Sequence, residues 1–179
     1  MTLFDSKLEK YFNKEPFELR PGVKTGLKIL YRNPVEVGAD RIANSLAGLS
    51  QFPKKNLLIV DFGTATVIDA VSANAEYLGG AIAPGLTMGA EALVANTSIL
   101  RRVEMIMPKS PIGKTTTSSL QSGLILGQID MVEGMVERFK NEIGAESRVV
   151  ATGGLAPMIA KETSVFDSVN QELTLVGLR

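Results

Sequence analysis

The amino-acid sequence predicts an α/β layered domain. Three observations predict it: a strand-length apolar run ending in an acid and a Gly-Thr turn, two further strand patterns joined to it by short loops, and a long helical periodicity followed by one more strand. In chain order the first element is a helix over 2–13, where Leu3, Phe4, Leu8, Tyr11 and Phe12 fall near a 3.6-residue spacing. From Pro16 to Pro34 the Pro-Gly pair at 21–22 and the Asn-Pro pair at 33–34 predict loop with short extended pieces. Helical period returns from Ala39 to Leu49, with Ile42, Ala43, Leu46 and Leu49 on one stripe.

Leu57-Leu-Ile-Val-Asp61 is a continuous apolar run of strand length. Thr66 to Val71 and Tyr77 to Ala83 are the second and third strands, with connections short enough for an antiparallel meander. Pro84-Gly85 ends the third strand, and a helix runs on to Val94. Thr116 to Ile143 reads as one long helix whose buried side is Leu120, Leu124, Ile129, Val132, Val136 and Phe139. Arg148 to Thr152 is a fourth strand, Gly153-Gly154 a turn, and Leu155 to Lys161 a short helix.

Composition narrows the chemistry. With 179 residues, 45% of them hydrophobic, the chain can bury the core of one ordinary domain or two small lobes. Its 19 basic and 19 acidic residues form no stripe of the kind that grips nucleic acid. Cysteine and histidine are both absent, which excludes disulfides, thiolate or imidazole metal ligands, cysteine nucleophiles and histidine-based triads. Proton transfer falls to a carboxylate, lysine or tyrosine. No apolar run has the length of a membrane span, and the N-terminus has no signal-peptide pattern. The expectation is a cytoplasmic protein with neither a nucleic-acid nor a membrane partner.

Several short segments could carry function. Asp61-Phe-Gly-Thr-Ala-Thr66 places an acid at a strand end, with Gly63 allowing backbone amides to approach an anion and Thr64 and Thr66 adding hydroxyls. The same residues also suit a plain hairpin turn. Gly79-Gly-Ala-Ile-Ala-Pro-Gly85 suits either close strand–helix packing or a backbone wall beside a nucleotide. In Gly38-Ala-Asp-Arg41, Asp40 suits a helix cap or dipole partner, or else a general base. Arg41 suits a surface charge or a carboxylate-binding fork. Lys114 and Thr115-Thr-Thr117 suit an N-cap cluster or a ligand rim, and Met131 and Met135 suit packing.

These segments, in this order, resemble type III pantothenate kinases. The resemblance is carried by Pro21-Gly-Val-Lys-Thr-Gly26, Tyr31-Arg-Asn-Pro34, Gly38-Ala-Asp-Arg41, Asp61-Phe-Gly-Thr-Ala-Thr66 and Gly79-Gly-Ala-Ile-Ala-Pro-Gly85. It continues through Ile112-Gly-Lys-Thr-Thr116, Gln121-Ser-Gly123, Ala151-Thr-Gly-Gly-Leu-Ala-Pro157 and Leu173-Thr-Leu-Val-Gly-Leu178. It implies a ribonuclease-H-like, actin-like ATPase lobe, with residues 1–53 a remnant of the first lobe carrying the substrate-site loop and helix, and 54–179 the C-terminal lobe. It further implies ATP-dependent phosphorylation of pantothenate to 4'-phosphopantothenate, the first step towards coenzyme A, by a homodimer using Mg2+ or another divalent cation and K+ or NH4+. By motif position Asp40 is the implied base, and Tyr31, Gly38, Ala39, Arg41 and Thr116 line the substrate site, Thr116 from the partner subunit. Gly63 and Thr64 are implied at the ATP phosphates, and Asp61 at the monovalent cation.

Two departures accompany the resemblance. Thr115 stands where the family usually has asparagine, while Thr116 is retained. The family's opening strand and Asp-x-Gly-Asn-Thr phosphate loop have no counterpart before Asp61. Loss of that loop is expected to abolish measurable turnover by the chain alone, which is then a fragment, a mis-started reading frame or a split subunit of an active kinase, a separate chain supplying the first lobe in the last case. The alternative is a non-catalytic lobe that dimerises and binds ligand.

Overall fold

The computed structural model describes residues 3–15, 17–20, 22–98 and 100–179. Pro16 and Pro21, which mark the first loop in the sequence, and residue 2, where the first helix is expected to begin, lie outside the described residues. Helix α1 (Leu3–Phe12) leads into strand β1 (Lys28–Ile29), a single 3-10 turn at Pro34–Glu36 and helix α2 (Ala39–Gln51). Strands β2 (Leu57–Phe62), β3 (Ala65–Val71) and β4 (Glu76–Pro84) follow, then helix α3 (Leu86–Ala95). The remainder is α4 (Thr116–Gln121), a π turn at Ser122–Leu126, α5 (Gly127–Ile143), β5 (Arg148–Thr152), α6 (Ala156–Ile159), β6 (Ser168–Val169) and α7 (Leu173–Gly177).

The six strands form one sheet in the order β1-β4-β3-β2-β5-β6. The expected meander is present, since β2 pairs antiparallel with β3 and β3 with β4. β5 and β6 then add in parallel beyond β2. Setting aside the two-residue β1, this is a five-stranded sheet in the order third-second-first-fourth-fifth with only the second strand reversed, the ribonuclease-H-like arrangement. β1 and β6 have two residues each, too few to leave a periodicity in the sequence.

Both faces of the sheet are covered, which is why β2 reads as an unbroken apolar run rather than an alternation. Leu58, Val60 and Phe62 pack with Ile68, Ala70, Val149 and Ala151 under Ile125, Ile129, Val132 and Val136 from the long helix. Leu57 and Ile59 turn the other way and pack with Val71, Tyr77 and Val150 under Ile42 and Ala47 of α2 and Leu173 of α7. Odd positions of β2 therefore face α2, and the acid at 61 is one of them.

Three expected elements are revised in detail. The long helix is interrupted by the π turn, which accounts for the five-residue step from Leu124 to Ile129 in its apolar stripe. The wider turn brings Ile125 wholly into the core and leaves Leu124 only half-buried. On α1 the expected apolar stripe is not buried at its end, where Tyr11 and Phe12 are exposed. The helix after Gly153-Gly154 is shorter than expected, covering Ala156–Ile159 only. No helix among the described residues is long and apolar enough to cross a membrane.

α7 lies so close on α2 that a Cβ built at Gly177 would stand 1.8 Å from the Ala43 carbonyl oxygen, backbone against backbone. Gly177→Ala is therefore expected to push α7 off α2 and to destabilise the fold by about 1–3 kcal/mol. A urea unfolding midpoint equal to that of the parent would show that the two helices can separate at no cost.

Candidate functional site

Of the side chains singled out by sequence, Arg41 and Asp61 lie between α2 and the face of β2 and β3 that it covers. The register places Ile59 opposite Asp69 and Asp61 opposite Val67. Asp61 and Asp69 thus rise from neighbouring strands on the face that α2 covers. Helical spacing then lets Arg41 and Asn44, three residues apart, reach down together. Arg41 takes Asp69 with a two-point fork, Nε to Oδ1 at 3.0 Å and Nη2 to Oδ1 at 2.5 Å, with Nε also 3.3 Å from Oδ2. Asn44 donates from Nδ2 to Asp61 Oδ2 at 3.1 Å.

The Arg41–Asp69 pair is buried, with side-chain exposures of 10% and 3%. Tyr77 donates its hydroxyl to Asp69 Oδ1 at 2.8 Å, and its ring lies 5.5 Å from the Arg41 guanidinium carbon. Tyr31 lies next to Tyr77, its ring 6.1 Å away. The space exists because residue 80, directly opposite Asp69 on β4, is glycine. A Cβ there would come within 2.2 Å of the Ile68 carbonyl, 2.6 Å of Asp69 Oδ1 and 3.0 Å of Arg41 Nη2. Burial pushes the Asp69 carboxyl upward, against the opposing pull of the Arg41 bond and charge. Burial works to lower Arg41, but the bond and charge of Asp69 outweigh it and hold the guanidinium above its usual range. Tyr77 is driven up by burial and then by the Asp69 charge, so it stays a hydroxyl donor.

Asp61 sits differently. Its Oδ2 accepts from Asn44, whose own Oδ1 accepts from the Thr174 hydroxyl of α7 at 2.7 Å. The Thr174 bond orients the amide, so that its NH2 must face Asp61. Gly153, at the end of β5 beside β2, closes on the carboxylate from the other side. Its φ is +92°, and a Cβ there would stand 2.6 Å from Asp61 Oδ1. The turn after Asp61 is closed by the Gly63 amide donating to the Ala65 carbonyl at 3.1 Å, and Gly63 and Thr64 are exposed. The Gly85 amide, at the N-terminus of α3, donates to the Thr64 carbonyl at 3.2 Å.

Asp40 stands in the first turn of α2, exposed. It is not the cap: that position belongs to Gly38, and no side chain bonds the helix start. The carboxylate lies back over Gly38, 2.4 Å from where a Cβ would be, in the region where a helix N-terminus favours negative charge. Its charge reaches both Asp61 and Asp69, raising each. Ala39 precedes it, half-buried. Thr116 is exposed at the start of α4, where Thr115 and Ser118 form a reciprocal capping box. The N-cap reading of that cluster therefore holds for Thr115, and the α4 start contributes nothing to the Arg41–Asp69 or Asn44–Asp61 bonds. Met131 and Met135 pack against the core as expected.

Sequence reasoning brought forward Tyr31, Gly38, Asp40, Arg41 and Asp61 but missed Asn44, Asp69, Tyr77 and Thr174. One signal for Asp69 was available, an acid between Ile68 and Ala70 inside a strand pattern. A buried charge of that kind demands a partner.

Family model and curated relatives agree on one family. A family model described as type III pantothenate kinase matches residues 1–138. Type III pantothenate kinases of Syntrophotalea carbinolica and Syntrophus aciditrophicus are each 47% identical over 179 residues, covering all of this chain and 70% of theirs. A crystal structure described as a conserved Baf family transcriptional activator from Campylobacter jejuni superposes with a TM-score of 0.62 at 20% identity, over 85% of this chain and 65% of that one. At that identity the likeness shows the fold alone.

Burial, with smaller contributions from the Asp40 and Asp69 charges, raises Asp61 above the ordinary carboxylate range against the opposing Asn44 bond. A folded-state value above the unfolded one means that the fold binds this proton more tightly. Through this group, stability is fully present below the unfolded value and is lost as pH rises through the folded one. Asp61→Asn, which removes the buried charge, is therefore expected to raise the melting temperature at pH 7. A melt at pH 7 in which the variant unfolds below the parent would show that the ionised carboxylate stabilises the fold.

Proposed function

Since the chain belongs to the type III pantothenate kinase family, we propose that it phosphorylates pantothenate to 4'-phosphopantothenate at the expense of ATP, with Asp40 as the base. What most supports this reading is the division of labour at the start of α2. Arg41 is buried and committed to Asp69, so the adjacent Asp40 is left exposed with no ion pair among the described residues. A base must be free to accept a proton, and an acid locked to its neighbouring arginine would not be.

In the reaction the primary hydroxyl oxygen of pantothenate forms a bond to the ATP γ-phosphorus as the bond from that phosphorus to the β-bridging oxygen breaks. The hydroxyl proton passes to Asp40, and ADP leaves. Such a transfer needs little covalent help from the protein and much positioning. Tyr31, Gly38, Ala39 and Arg41 would form the wall that positions the substrate, with Thr116 closing it from the partner subunit of a homodimer. Gly63 and Thr64, in the exposed turn after β2, would meet the ATP phosphates.

Asp61 suits a monovalent cation. Its Oδ2 is occupied by Asn44, while Oδ1 lies beside backbone at Gly153 and near the Phe62 carbonyl, a hard-oxygen setting for K+ or NH4+. Such an ion would offset the negative charge of the bound phosphates. Among the described residues no three acids converge to hold a metal. A divalent ion such as Mg2+ would therefore be held chiefly by the nucleotide's phosphates, as is usual for it. In this reading residues 1–53 carry the substrate-facing loop and helix, and 54–179 carry the nucleotide-facing sheet.

Asp40→Asn is expected to lower ADP release by about 10²–10⁴-fold while leaving pantothenate affinity close to that of the parent. Calorimetric titration with pantothenate and with ATP-Mg in potassium buffer, beside a coupled ADP assay, checks both halves. Full turnover in the variant would remove Asp40 from the base's role. Pantothenate binding by the parent without any turnover would favour the non-catalytic, ligand-binding alternative.

A further inference from the structure

Arg41 is expected in the pantothenate wall, yet most of its donor edge is spent inside the protein. Nε and Nη2 both go to Asp69 Oδ1, which also accepts from the Tyr77 hydroxyl at 2.8 Å. The guanidinium packs against the β4 backbone at Gly80, where a Cβ would stand 3.0 Å from Nη2. It cannot swing to Asp40 without abandoning a buried carboxylate. About a tenth of the Arg41 side chain remains at the solvent edge, beside Tyr31 and Tyr77.

We propose that Asp69 is a positioning residue for the substrate, locking Arg41 so that a single guanidinium edge, set beside Tyr31, is offered to pantothenate while the rest of its charge is neutralised internally. The inference rests on the reading of this pocket as the pantothenate site. Asp69 acts through Arg41 and touches no substrate itself. The arrangement has two consequences. The arginine presents a directional hydrogen-bond donor where a free cation would also seize the wrong anion, and it stays off Asp40. An ion pair with good geometry and further hydrogen bonds can be held in a buried setting in this way, whereas a lone buried arginine could not.

The full chain is titrated calorimetrically with pantothenate as wild type, Asp69→Asn, Arg41→Lys and the double variant, below the melting temperature of each. Asp69→Asn is expected to weaken binding by about tenfold or more, and the double variant to be no weaker than Arg41→Lys alone, because the two residues act as one unit. A side-chain ¹⁵N–¹H spectrum separates positioning from a purely structural pair. The Arg41 Nε–H resonance should be sharp in the wild type and should move when pantothenate is added. Should Asp69→Asn fail to fold, Tyr77→Phe removes only the hydroxyl that steadies Asp69 and is expected to weaken pantothenate binding by about threefold. Unchanged or tighter binding in the folded variants, additive losses, or an Arg41 resonance that ignores bound pantothenate would each overturn the proposal and leave the kinase reading standing. Absence of pantothenate binding by the wild type would instead overturn the kinase reading, and this inference with it.

Discussion

A buried ion pair between a helix and a sheet organises this molecule. Arg41 and Asp69 are 28 positions apart and lie almost wholly out of water. Leaving either partner without the other in such a setting typically costs about 3–5 kcal/mol. The pair therefore fixes the rotation and height of α2 on the strands. Once α2 is seated, the other contacts follow from its period. Asn44 falls over Asp61, Ile42 and Ala47 enter the core beside Leu57 and Ile59, and Asp40 is left at the rim.

Around that pair, contacts are tuned by what is missing as much as by what is present. Gly80 leaves the room that the guanidinium fills, and Gly177 lets α7 lie against the α2 backbone. The second approach has a functional side. Only because α7 is that close does Thr174 reach Asn44 and set the orientation of its amide towards Asp61. A carboxylate at the end of β2 is thus steadied from an element more than a hundred residues away in the chain.

The two acids of the site are used in opposite ways. Asp69 is held by Arg41 and Tyr77, mostly through Oδ1, and its charge is neutralised by the buried guanidinium. Among the described residues Asp61 Oδ1 has no side-chain hydrogen-bond partner, and the group carries a charge that burial disfavours. An ionised oxygen in that condition is costly to the fold, and a nearby positive charge would lessen the cost. Sites that sacrifice local stability in this manner are where function is commonly found.

Much of this was legible in the residues. The unbroken apolar run of β2, the meander, the apolar stripe of the long helix and the acid at the strand end are properties of local pattern, and local pattern is what propensity and periodicity report; the π turn within that helix was not read. The motif order was enough to bring Tyr31, Gly38, Asp40, Arg41 and Asp61 forward as one group. The choice of partner for Arg41 was not legible, because its neighbour in sequence, Asp40, and its neighbour in space, Asp69, are both acids. Only the register of β2 against β3, and the seat of α2 upon them, decided that the fork goes to Asp69. The same holds for Thr174 and Asn44, and for the two-residue strands at the sheet edges. Sequence by itself determined which segments could be helix, strand and turn and which residue types the chemistry could use; tertiary structure alone decided which acid is neutralised and which stays free, because that depends on distances between segments that no local pattern encodes.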